Sequence, residues 1–324
     1  METREVVDEL LEEAINKKAS DIFFLIKEEK LQINLRLSSE IENIAEYSER
    51  QGLEVINFLK YAAQMDISEH RRPQVGAIEY KYQGQKYYLR LSSLGDFADR
   101  ESLVVRIIYQ IENSSYFFEK QIDLLKTLSK KRGLIITSGP TGSGKTTTMY
   151  ELAKKVGKNK VVMTIEDPVE VHESSFLQSQ INSEAGIEYL DLLKAALRHR
   201  PDILIIGEIR DGNTARIAID AALSGHLVFA TVHAQSTLQT ISRLEGLGIR
   251  RDELANCLTV VSYQRLLPTK SGIACLLDIA SGENLTKAIN SEVRSSFISW
   301  QDNLNLLKKG GRISDETYKF YQEG

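Results

Sequence analysis

The stretch Gly139-Pro-Thr-Gly-Ser-Gly-Lys-Thr146 is the strongest indication of fold in the second half of the chain. It matches the pattern G-x-x-x-x-G-K-[ST] in full, and the apolar run GLIITSG leads directly into it. Glycines let the backbone fold tightly enough for successive N–H groups to face a phosphate, and the helix that follows adds the positive end of its dipole. Average residue usage produces this pattern by accident in roughly one such chain per hundred or fewer. The stretch therefore predicts a nucleotide-binding loop between a strand and a helix.

Each residue of this loop has a predicted place around a nucleotide. We expect Lys145 to reach the β- and γ-phosphates, and the Thr146 hydroxyl to ligate Mg²⁺. The predicted nucleotide-binding residues of the loop are Gly139, Pro140, Thr141, Gly142, Ser143, Gly144, Lys145, Thr146 and Thr147.

Outward from the loop, apolar strands alternate with helical segments. The sequence predicts strands at KVVMTIED, DILIIG and HLVFATVH, and helices after Lys145, at about 186–199 and at NTARIAIDAALSG. Strands that are apolar throughout and alternate with helices indicate a parallel sheet covered on both faces. After about residue 238 the sequence predicts mainly helix, with one late strand at CLLDIA.

The first part of the chain has helices before and between runs of strands, which indicates an α+β domain. A helical stripe in TREVVDELLEEAINKKAS and a helix at about 48–65 accompany the β-like runs DIFFLI, LQINLRL, VGAIEYKY, QKYYLRLSS and SLVVRII. Gln83-Gly84 predicts a hairpin turn. We therefore expect an α+β domain at 1–112, a linker at 113–118 and the nucleotide-binding domain at 119–324.

Composition excludes several classes of protein. The 324 residues are 42% hydrophobic and 27% charged, with a net charge of −4, which is typical of a soluble protein and argues against nucleic-acid binding. Cys257 and Cys275 form no C-x-x-C pair, which argues against a zinc module or a disulfide framework. The uncharged stretch from Ala221 to Ser242 contains Ser, Thr, Gln and His, so it predicts a buried helix, turn and strand rather than a membrane span.

Carboxylates follow two of the predicted strands where each strand ends. Because ligands bind outside the carboxyl ends of parallel strands, we expect Glu166 and Asp167 near the loop, where they position Mg²⁺ or water or else form an acidic surface loop. Glu170 can simply face solvent. The metal-binding strand of such enzymes usually ends in aspartate, but here Gly207 stands at that position. Glu208 follows it, and can bind Mg²⁺ through water or orient and deprotonate the attacking water.

Histidines and arginines supply further candidates. His226 and His233 bracket one strand, so one can approach the phosphates while the other is structural, and the carboxyl-end position favours His233 as a sensor of the γ-phosphate. Arg210 either forms a local ion pair with Asp211 or contributes to the site. Arginines of the first domain, among them Arg90 and Arg106, either stabilise charge on a phosphoryl group or face water.

Taken together and in this order, these segments resemble the secretion and type IV pilus ATPase family, the hexameric motors of type II secretion, pilus assembly and retraction, and competence pseudopilus assembly. The resemblance rests on GPTGSGKTTT, TIEDPVE, DILIIGEIRD, GHLVFATVHAQST and VSYQRLLP, and in the first domain on ASDI, RRPQVG and YYLRLSS. The family's metal strand has glycine followed by glutamate, which implies that Glu208 is the catalytic glutamate and that Glu166 supports Mg²⁺ and the water. The resemblance also implies phosphate-binding arginines at Arg90 and Arg106, and a histidine box at His226 and His233.

The resemblance implies an α/β fold: a RecA-like domain with a mainly parallel sheet and a helical C-terminal part, preceded by a smaller α+β, PAS-like domain. It implies ATP hydrolysis with Mg²⁺ and without zinc, in a homo-hexamer. The hexamer would lie in the cytoplasm at the inner face of the cell membrane and drive a polytopic platform protein and, through it, pilin-like subunits. No direct contact with nucleic acid is expected.

Departures from the family pattern narrow the subclass. Phe23 and Phe24 stand where the family often has a histidine after ASDI, and the four-cysteine zinc module is not found. The tail SEVRSSFISWQDNLNLLKKGGRISDE lacks the signature of the retraction subclass. A competence-type assembly ATPase, known from Gram-positive bacteria, fits best. A retraction motor with the same chemistry and a nucleotide-gated adaptor with slow hydrolysis remain as alternatives.

Overall fold

The computed structural model describes residues 2–27, 30–37, 40–110, 114–182, 185–269, 272–290 and 300–323. The chain divides into two compact units, residues 1–110 and residues 111–324. The predicted linker at 113–118 lies partly outside the described residues. Its residues 114–118 belong to the second unit, where the Phe117 amide donates to the Cys275 carbonyl at 3.0 Å. In the described part of the chain, no helix combines the length and the apolar character that a membrane span requires.

The first unit, in its described residues, is a six-stranded antiparallel sheet with two helices. Its elements are α1 (Thr3–Asn16), β1 (Asp21–Lys27), β2 (Lys30–Leu37), β3 (Glu40–Ser48), α2 (Glu49–Ala62), β4 (Gln74–Tyr82), β5 (Gln85–Gly95) and β6 (Glu101–Ile108). The strand order is β3-β2-β1-β6-β5-β4, and one hydrophobic cluster joins both helices to the sheet. Gln83 and Gly84 turn the β4–β5 hairpin with φ values of +48° and +78°, as the sequence predicts.

Strand β3 is not predicted by the sequence. Its residues, EIENIAEYS, have little apolar alternation, and their side chains are exposed or half-buried at the edge of the sheet. The strand pairs antiparallel with β2, so backbone hydrogen bonds rather than buried side chains define it.

The second unit is built around a seven-stranded sheet in its described residues. Its elements are α3 (Glu119–Leu128), β7 (Gly133–Ser138), α4 (Lys145–Val156), β8 (Val162–Glu166), β9 (Leu177–Gln180), α5 (Tyr189–Arg198), β10 (Ile203–Ile206), α6 (Gly212–Leu223), β11 (Leu227–Val232), α7 (Thr237–Gly246), α8 (Arg251–Cys257), β12 (Leu258–Thr269), β13 (Gly272–Ser281), α9 (Gly282–Asn290), α10 (Trp300–Lys309) and α11 (Asp315–Phe320). The strand order is β13-β12-β7-β11-β10-β8-β9.

The alternation of strands and helices produces the parallel sheet that the sequence predicts. The described strand pairs from β12 to β9 are parallel, and only β13 runs antiparallel to its neighbour. Strands β7, β8, β10 and β11 are buried along their whole length, because hydrophobic clusters cover both faces. Their carboxyl ends therefore meet at one edge of the sheet.

The prediction that the chain is mainly helical after about residue 238 is wrong for residues 258–269, which form β12, whereas the predicted late strand CLLDIA lies within β13. There, β12 pairs in parallel with β7 and antiparallel with β13. The error arises because Ser262, Gln264 and Arg265 interrupt the apolar run that signals a buried strand, and Gln, Arg and Leu favour helix. Pairing with the strand that precedes the phosphate loop overrides this local preference.

Candidate nucleotide-binding site

The loop between β7 and α4 has the backbone of a phosphate cradle. Gly139 and Gly144 take φ values of +148° and +81°, which side-chain-bearing residues rarely adopt. A Cβ at Gly139 would also lie 2.5 Å from the Gln264 carbonyl oxygen. Glycine at these positions therefore lets the loop pass close to β12 before α4 begins at Lys145.

Lys145 is buried, and its ammonium donates to two neutral acceptors. Its Nζ lies 2.9 Å from both the Gly139 and the Pro140 carbonyl oxygens. Burial lowers the pKa of Lys145, although the nearby carboxylates of Glu208 and Glu170 raise it. No carboxylate among the described residues forms an ion pair with this ammonium. Its positive charge is thus available for an anion that the chain itself does not supply.

Glu208 lies at the same edge of the sheet, between two nitrogen-bearing side chains. Arg210 Nε donates to Glu208 Oε2 at 2.8 Å, and His233 Nε2 lies 3.3 Å from Oε1. Burial and the charge of Lys145 lower the pKa of His233, against the opposing effect of Glu208. At neutral pH the imidazole is therefore uncharged and can donate or accept one hydrogen bond per ring nitrogen.

Gly207 allows β10 to approach β8 closely. Its amide donates to the Ile165 carbonyl at 2.9 Å, and a Cβ would meet Glu166 Cγ at 3.2 Å and Ile165 O at 3.3 Å. The glycine thus stands at a close contact with Glu166, and the next residue, Glu208, carries the carboxylate of this strand end.

Glu166 is buried behind Gly207, and neutral donors hold it. Its Oε1 accepts the Tyr150 hydroxyl at 2.5 Å and the Thr164 hydroxyl at 2.6 Å. Gln178 Nε2 in turn donates to the Tyr150 oxygen at 2.8 Å. Burial raises the pKa of Glu166, and the hydroxyl hydrogen bonds offset this only in part. Glu166 lines the cleft, but one of its oxygens is occupied by the protein.

Glu170, which the sequence alone allows to face solvent, accepts a hydrogen bond from the phosphate loop. Thr146 Oγ1 donates to Glu170 Oε2 at 2.7 Å. The Glu170 side chain is exposed and lines the same cleft as Glu208. Glu166 at the end of β8, and Asp167 and Glu170 after it, therefore bring three carboxylates to the cleft, of which Glu166 is buried and the other two are exposed.

These groups line a cleft of about 640 Å³. Its lining includes predicted residues from the loop and the strand ends, namely Thr141, Gly142, Ser143, Gly144, Lys145, Thr146, Thr147, Glu166, Glu208, Arg210 and His233. A volume of this size suits a nucleotide, since ligand sites usually measure roughly 300–1,000 Å³.

Asp167 and Asp211 also line the cleft, whereas His226 does not. His226 is at the amino end of β11, where its Nδ1 is 3.1 Å from the Ala221 carbonyl oxygen, so the length of the strand, roughly 20 Å, separates it from the cleft. Asp211 does not pair with Arg210 but caps α6 by accepting the Thr214 amide at 2.9 Å. Arg210 instead approaches Asp167, with Nη1 3.3 Å from Oδ2.

Arg90 and Arg106 belong to the first unit, where they lie opposite each other on β5 and β6. Arg106 Nε donates to the buried Asp21 at 2.8 Å, so the aspartate of the ASDI segment fixes this arginine. Arg106 keeps more than half of its side-chain surface exposed, at 62%.

Gln264 is a site residue to which the sequence motifs assign no role. It is fully buried, and its Nε2 donates to the Ser143 carbonyl at 2.6 Å, which supports the phosphate loop from β12. Leu266, two residues further, lines the cleft. Gln264 and Leu266 both belong to the motif VSYQRLLP, so this motif is the sequence signal that could have indicated their place in the site.

The family of the chain is established by comparison with known proteins. Residues 2–293 match the family described as "Type II/IV secretion system protein", and the chain belongs to this family, which confirms the resemblance seen in its motifs. Competence protein ComGA of Streptococcus pneumoniae is 39% identical, with 96% of each chain aligned. ComGA of Bacillus subtilis is 38% identical over 80% of this chain and 74% of that protein.

Solved structures share the fold. The pilus retraction motor PilT with bound ADP matches with a TM-score of 0.78 at 24% identity, covering 97% of this chain and 96% of that one. The ATPase DotB of Legionella pneumophila matches with a TM-score of 0.75 at 20% identity, covering 97% and 94%. At these identities the likeness concerns the fold and not the activity.

Proposed function

We propose that this chain is an ATP hydrolase that powers assembly of a type IV pilus or a competence pseudopilus. The observation that carries the proposal is the cleft in which Lys145 and Thr146 of the phosphate loop lie beside Glu208. The 39% identity to a competence protein over nearly the whole chain supports the same function.

The phosphates of ATP bind to the loop amides and to Lys145. The ammonium, which now donates to two neutral carbonyls, exchanges them for charged phosphate oxygens, and charge-assisted hydrogen bonds are about twice as strong as neutral ones. Gln264 on β12 holds the loop by donating a hydrogen bond to the Ser143 carbonyl. The remaining loop residues shape the cradle.

Glu208 orients the attacking water and accepts its proton. Arg210 and His233 hold its two oxygens, so the carboxylate is already placed at the cleft before ATP binds. His233 is uncharged at neutral pH because its pKa is lowered, so it has a single N–H, which faces Glu208 before ATP binds. When ATP binds, this N–H turns to the γ-phosphate, without adding a second cation beside Lys145. Water activation by a carboxylate contributes roughly 10²–10⁴-fold to such reactions.

The residues of the cleft fit Mg²⁺. Thr146 and Glu208 would hold it, and Glu166 would act on it through water. Mg²⁺ usually takes one or two carboxylates together with phosphates and water, so it needs no ready-made cage, and the described residues contain no group of three metal-binding side chains. When bound, Mg²⁺ neutralises charge on the phosphate oxygens.

We propose that the first unit is a PAS-like domain whose Arg90 and Arg106 bind phosphate, and that the second unit is a RecA-like domain. The chain works as a homo-hexamer on the cytoplasmic face of the membrane. Hydrolysis changes the angle between its domains and drives a polytopic platform protein, which in turn moves pilin-like subunits.

Steady-state phosphate release by the full chain tests this proposal, with and without the membrane platform protein. We expect Glu208→Gln to lower kcat about 10²–10³-fold, because the variant cannot accept the proton of the attacking water, while ATP affinity changes little. Glu283→Gln is the matched control, since Glu283 is exposed and pairs only with Lys287 on its own helix among the described residues.

Wild-type kcat in Glu208→Gln would contradict the role of this residue. Negligible turnover of the unmodified chain in both conditions would indicate a nucleotide-gated adaptor instead. Turnover that depends on added DNA would indicate a nucleic-acid motor.

A further inference from the structure

A short turn, residues 233–236, carries His233 and joins β11 to α7. Two residues of this turn bind to the first part of α7. The Gln235 amide donates to Gln239 Oε1 at 3.2 Å, and Ser236 Oγ accepts the Gln239 amide at 3.1 Å. The position of His233 therefore depends on how the beginning of α7 is fixed.

A buried hydroxyl group joins α7 to the strand that precedes the phosphate loop. Thr240, in the first turn of α7, is fully buried, and its Oγ1 donates to Ser138 Oγ at 2.8 Å. Ser138 is the last residue of β7, directly before Gly139, and its own hydroxyl donates to the Ser262 carbonyl of β12 at 3.0 Å. The helix is thus bound to the residue from which the loop begins.

A carboxylate fixes the first residue of α7. Thr237 Oγ1 donates to Asp278 Oδ2 at 3.1 Å, and both side chains are buried, at 1% and 4% exposure. Asp278 lies on β13, and its other oxygen has no hydrogen-bond partner in the described part of the chain. The bond therefore joins α7 to the sheet at the end of the helix that follows His233.

A purely structural contact would not need a carboxylate at position 278. Burying a carboxylate beside a single hydroxyl donor destabilises the fold, whereas a neutral side chain would accept the same hydrogen bond at a lower cost. Proteins retain such unfavourable buried groups mainly where they serve a function. Because Asp278 does not line the cleft, its route to the nucleotide runs through Thr237 and α7.

We propose that Asp278 is a positioning residue for His233: by accepting the Thr237 hydroxyl it fixes the start of α7, and with it the turn from which the imidazole reaches the γ-phosphate. This inference rests on the proposed function, because it assumes that His233 binds the γ-phosphate of ATP. Without the bond to Thr237, the turn shifts relative to the phosphate loop. A displacement of about 1 Å at a catalytic group can lower turnover about 100-fold.

A double-mutant cycle between Thr237 and His233 in the full chain tests the proposal. Calorimetric titration measures the affinity for the non-hydrolysable analogue AMP-PNP relative to ADP, and phosphate release measures kcat. We expect Thr237→Val to lower the affinity ratio about 10-fold, since a hydrogen bond to a charged phosphate is lost, and kcat about 10–100-fold. In the His233→Ala background, Thr237→Val should have little further effect, because both substitutions remove the same contact.

Variants of Asp278 separate its role as acceptor from its charge. Asp278→Leu has no acceptor and should behave like Thr237→Val. Asp278→Asn keeps an amide oxygen that accepts the Thr237 hydroxyl, so it should restore both measured quantities to nearly those of the unmodified chain. Thr286→Val is the matched control, because Thr286 is exposed and, among the described residues, donates only to the Gly282 carbonyl of its own helix.

An unchanged affinity ratio in Thr237→Val would overturn the proposal. Losses that add in the double variant would also overturn it, because the hydroxyl would then act on the fold and not through His233. If the unmodified chain prefers AMP-PNP over ADP but releases no phosphate from ATP, the proposed function fails, while the affinity cycle still decides the role of Asp278. The two failures are therefore distinguishable.

Discussion

Two buried lysines, one in each unit, are held in opposite ways. Lys60 has no exposed surface, and its ammonium meets Glu101 Oε1 at 2.6 Å and the Glu69 carbonyl at 2.7 Å. Lys145 is 9% exposed and meets only carbonyl oxygens among the described residues. A buried charge must be neutralised or hydrogen-bonded, since an isolated one is very costly. In the first unit, the Glu101 carboxylate of the protein balances the charge of Lys60. In the cleft, a bound ligand would have to balance the charge of Lys145.

Buried carboxylates show the same contrast. Asp21 of the first unit accepts Arg106 at 2.8 Å and Ser20 at 2.8 Å. In the second unit, Glu166 accepts the Tyr150 and Thr164 hydroxyls and forms no ion pair among the described residues. Asp278 accepts the Thr237 hydroxyl at 3.1 Å, and its other oxygen has no hydrogen-bond partner in the described part of the chain. Burial raises the pKa of Asp278 to about 6. Asp278 does not line the cleft, so no bound ligand balances its charge there; it becomes neutral by taking up a proton.

The largest expected effect separates the two lysines. Lys60→Met leaves Glu101 buried beside His70 without its ammonium partner, and breaking such a pair costs about 3–5 kcal/mol of unfolding free energy. Lys145→Met removes two hydrogen bonds to carbonyls and also the cost of burying the charge, so we expect a change within about 1 kcal/mol. Urea unfolding of both full-length variants measures the difference. Equal losses of stability in the two variants would show that the two lysines do not differ in how their charge is balanced.

A somewhat smaller effect is expected for Asp278→Asn, and it depends on pH. The folded-state pKa is raised from 3.8 to about 6, so ionisation of Asp278 destabilises the fold as pH rises through this window, by roughly 3 kcal/mol above it. The asparagine variant avoids this cost, and it should be more stable than the unmodified chain at pH 8 but not at pH 4. Urea unfolding at both values tests this. A stability difference that is the same at pH 4 and pH 8 would rule out titration of Asp278 as its source.

The smallest expected effect concerns Gly207. In Gly207→Ala the new methyl group lies 3.2 Å from Glu166 Cγ, and such overpacking costs about 1–3 kcal/mol. Gly246→Ala is the matched control, because a Cβ there meets nothing within 4 Å and the change should stabilise by about 0.4–1 kcal/mol. Thermal unfolding measures both. If both glycines tolerate alanine equally well, the close approach of β10 to Glu166 is not a constraint.

Local sequence patterns predict most of the second unit. The phosphate loop, the buried strands β7, β8, β10 and β11, and the helices between them follow from neighbouring residues. Strand β12 escapes prediction because its polar residues Ser262 and Gln264 are buried by pairing with β7, more than 120 residues earlier. Edge strand β3 escapes because backbone pairing, not a side-chain pattern, defines it.

The candidate site divides in the same way. The sequence identifies Lys145, Thr146 and Glu208 from their places in the loop and at a strand end. It leaves open whether Glu170 simply faces solvent, and the family resemblance places His226 in one histidine box with His233. The structure places His226 at the opposite end of β11 and joins Glu170 to Thr146. Two side chains of β9, Gln178 and Gln180, hydrogen-bond to the backbone of Val171 and Val169 on either side of Glu170.

Local residues are enough to predict a phosphate loop between a strand and a helix, because that conformation depends on glycines and on residues next to one another in the chain. The contacts between distant groups follow from the folded chain: Glu170 with Thr146, Gln264 with the loop, and His233 with Glu208. The physical reason is that these contacts depend on the order β12-β7-β11-β10-β8-β9 and on the direction of side chains at the strand ends. Neither the strand order nor these side-chain directions can be predicted from a local sequence pattern.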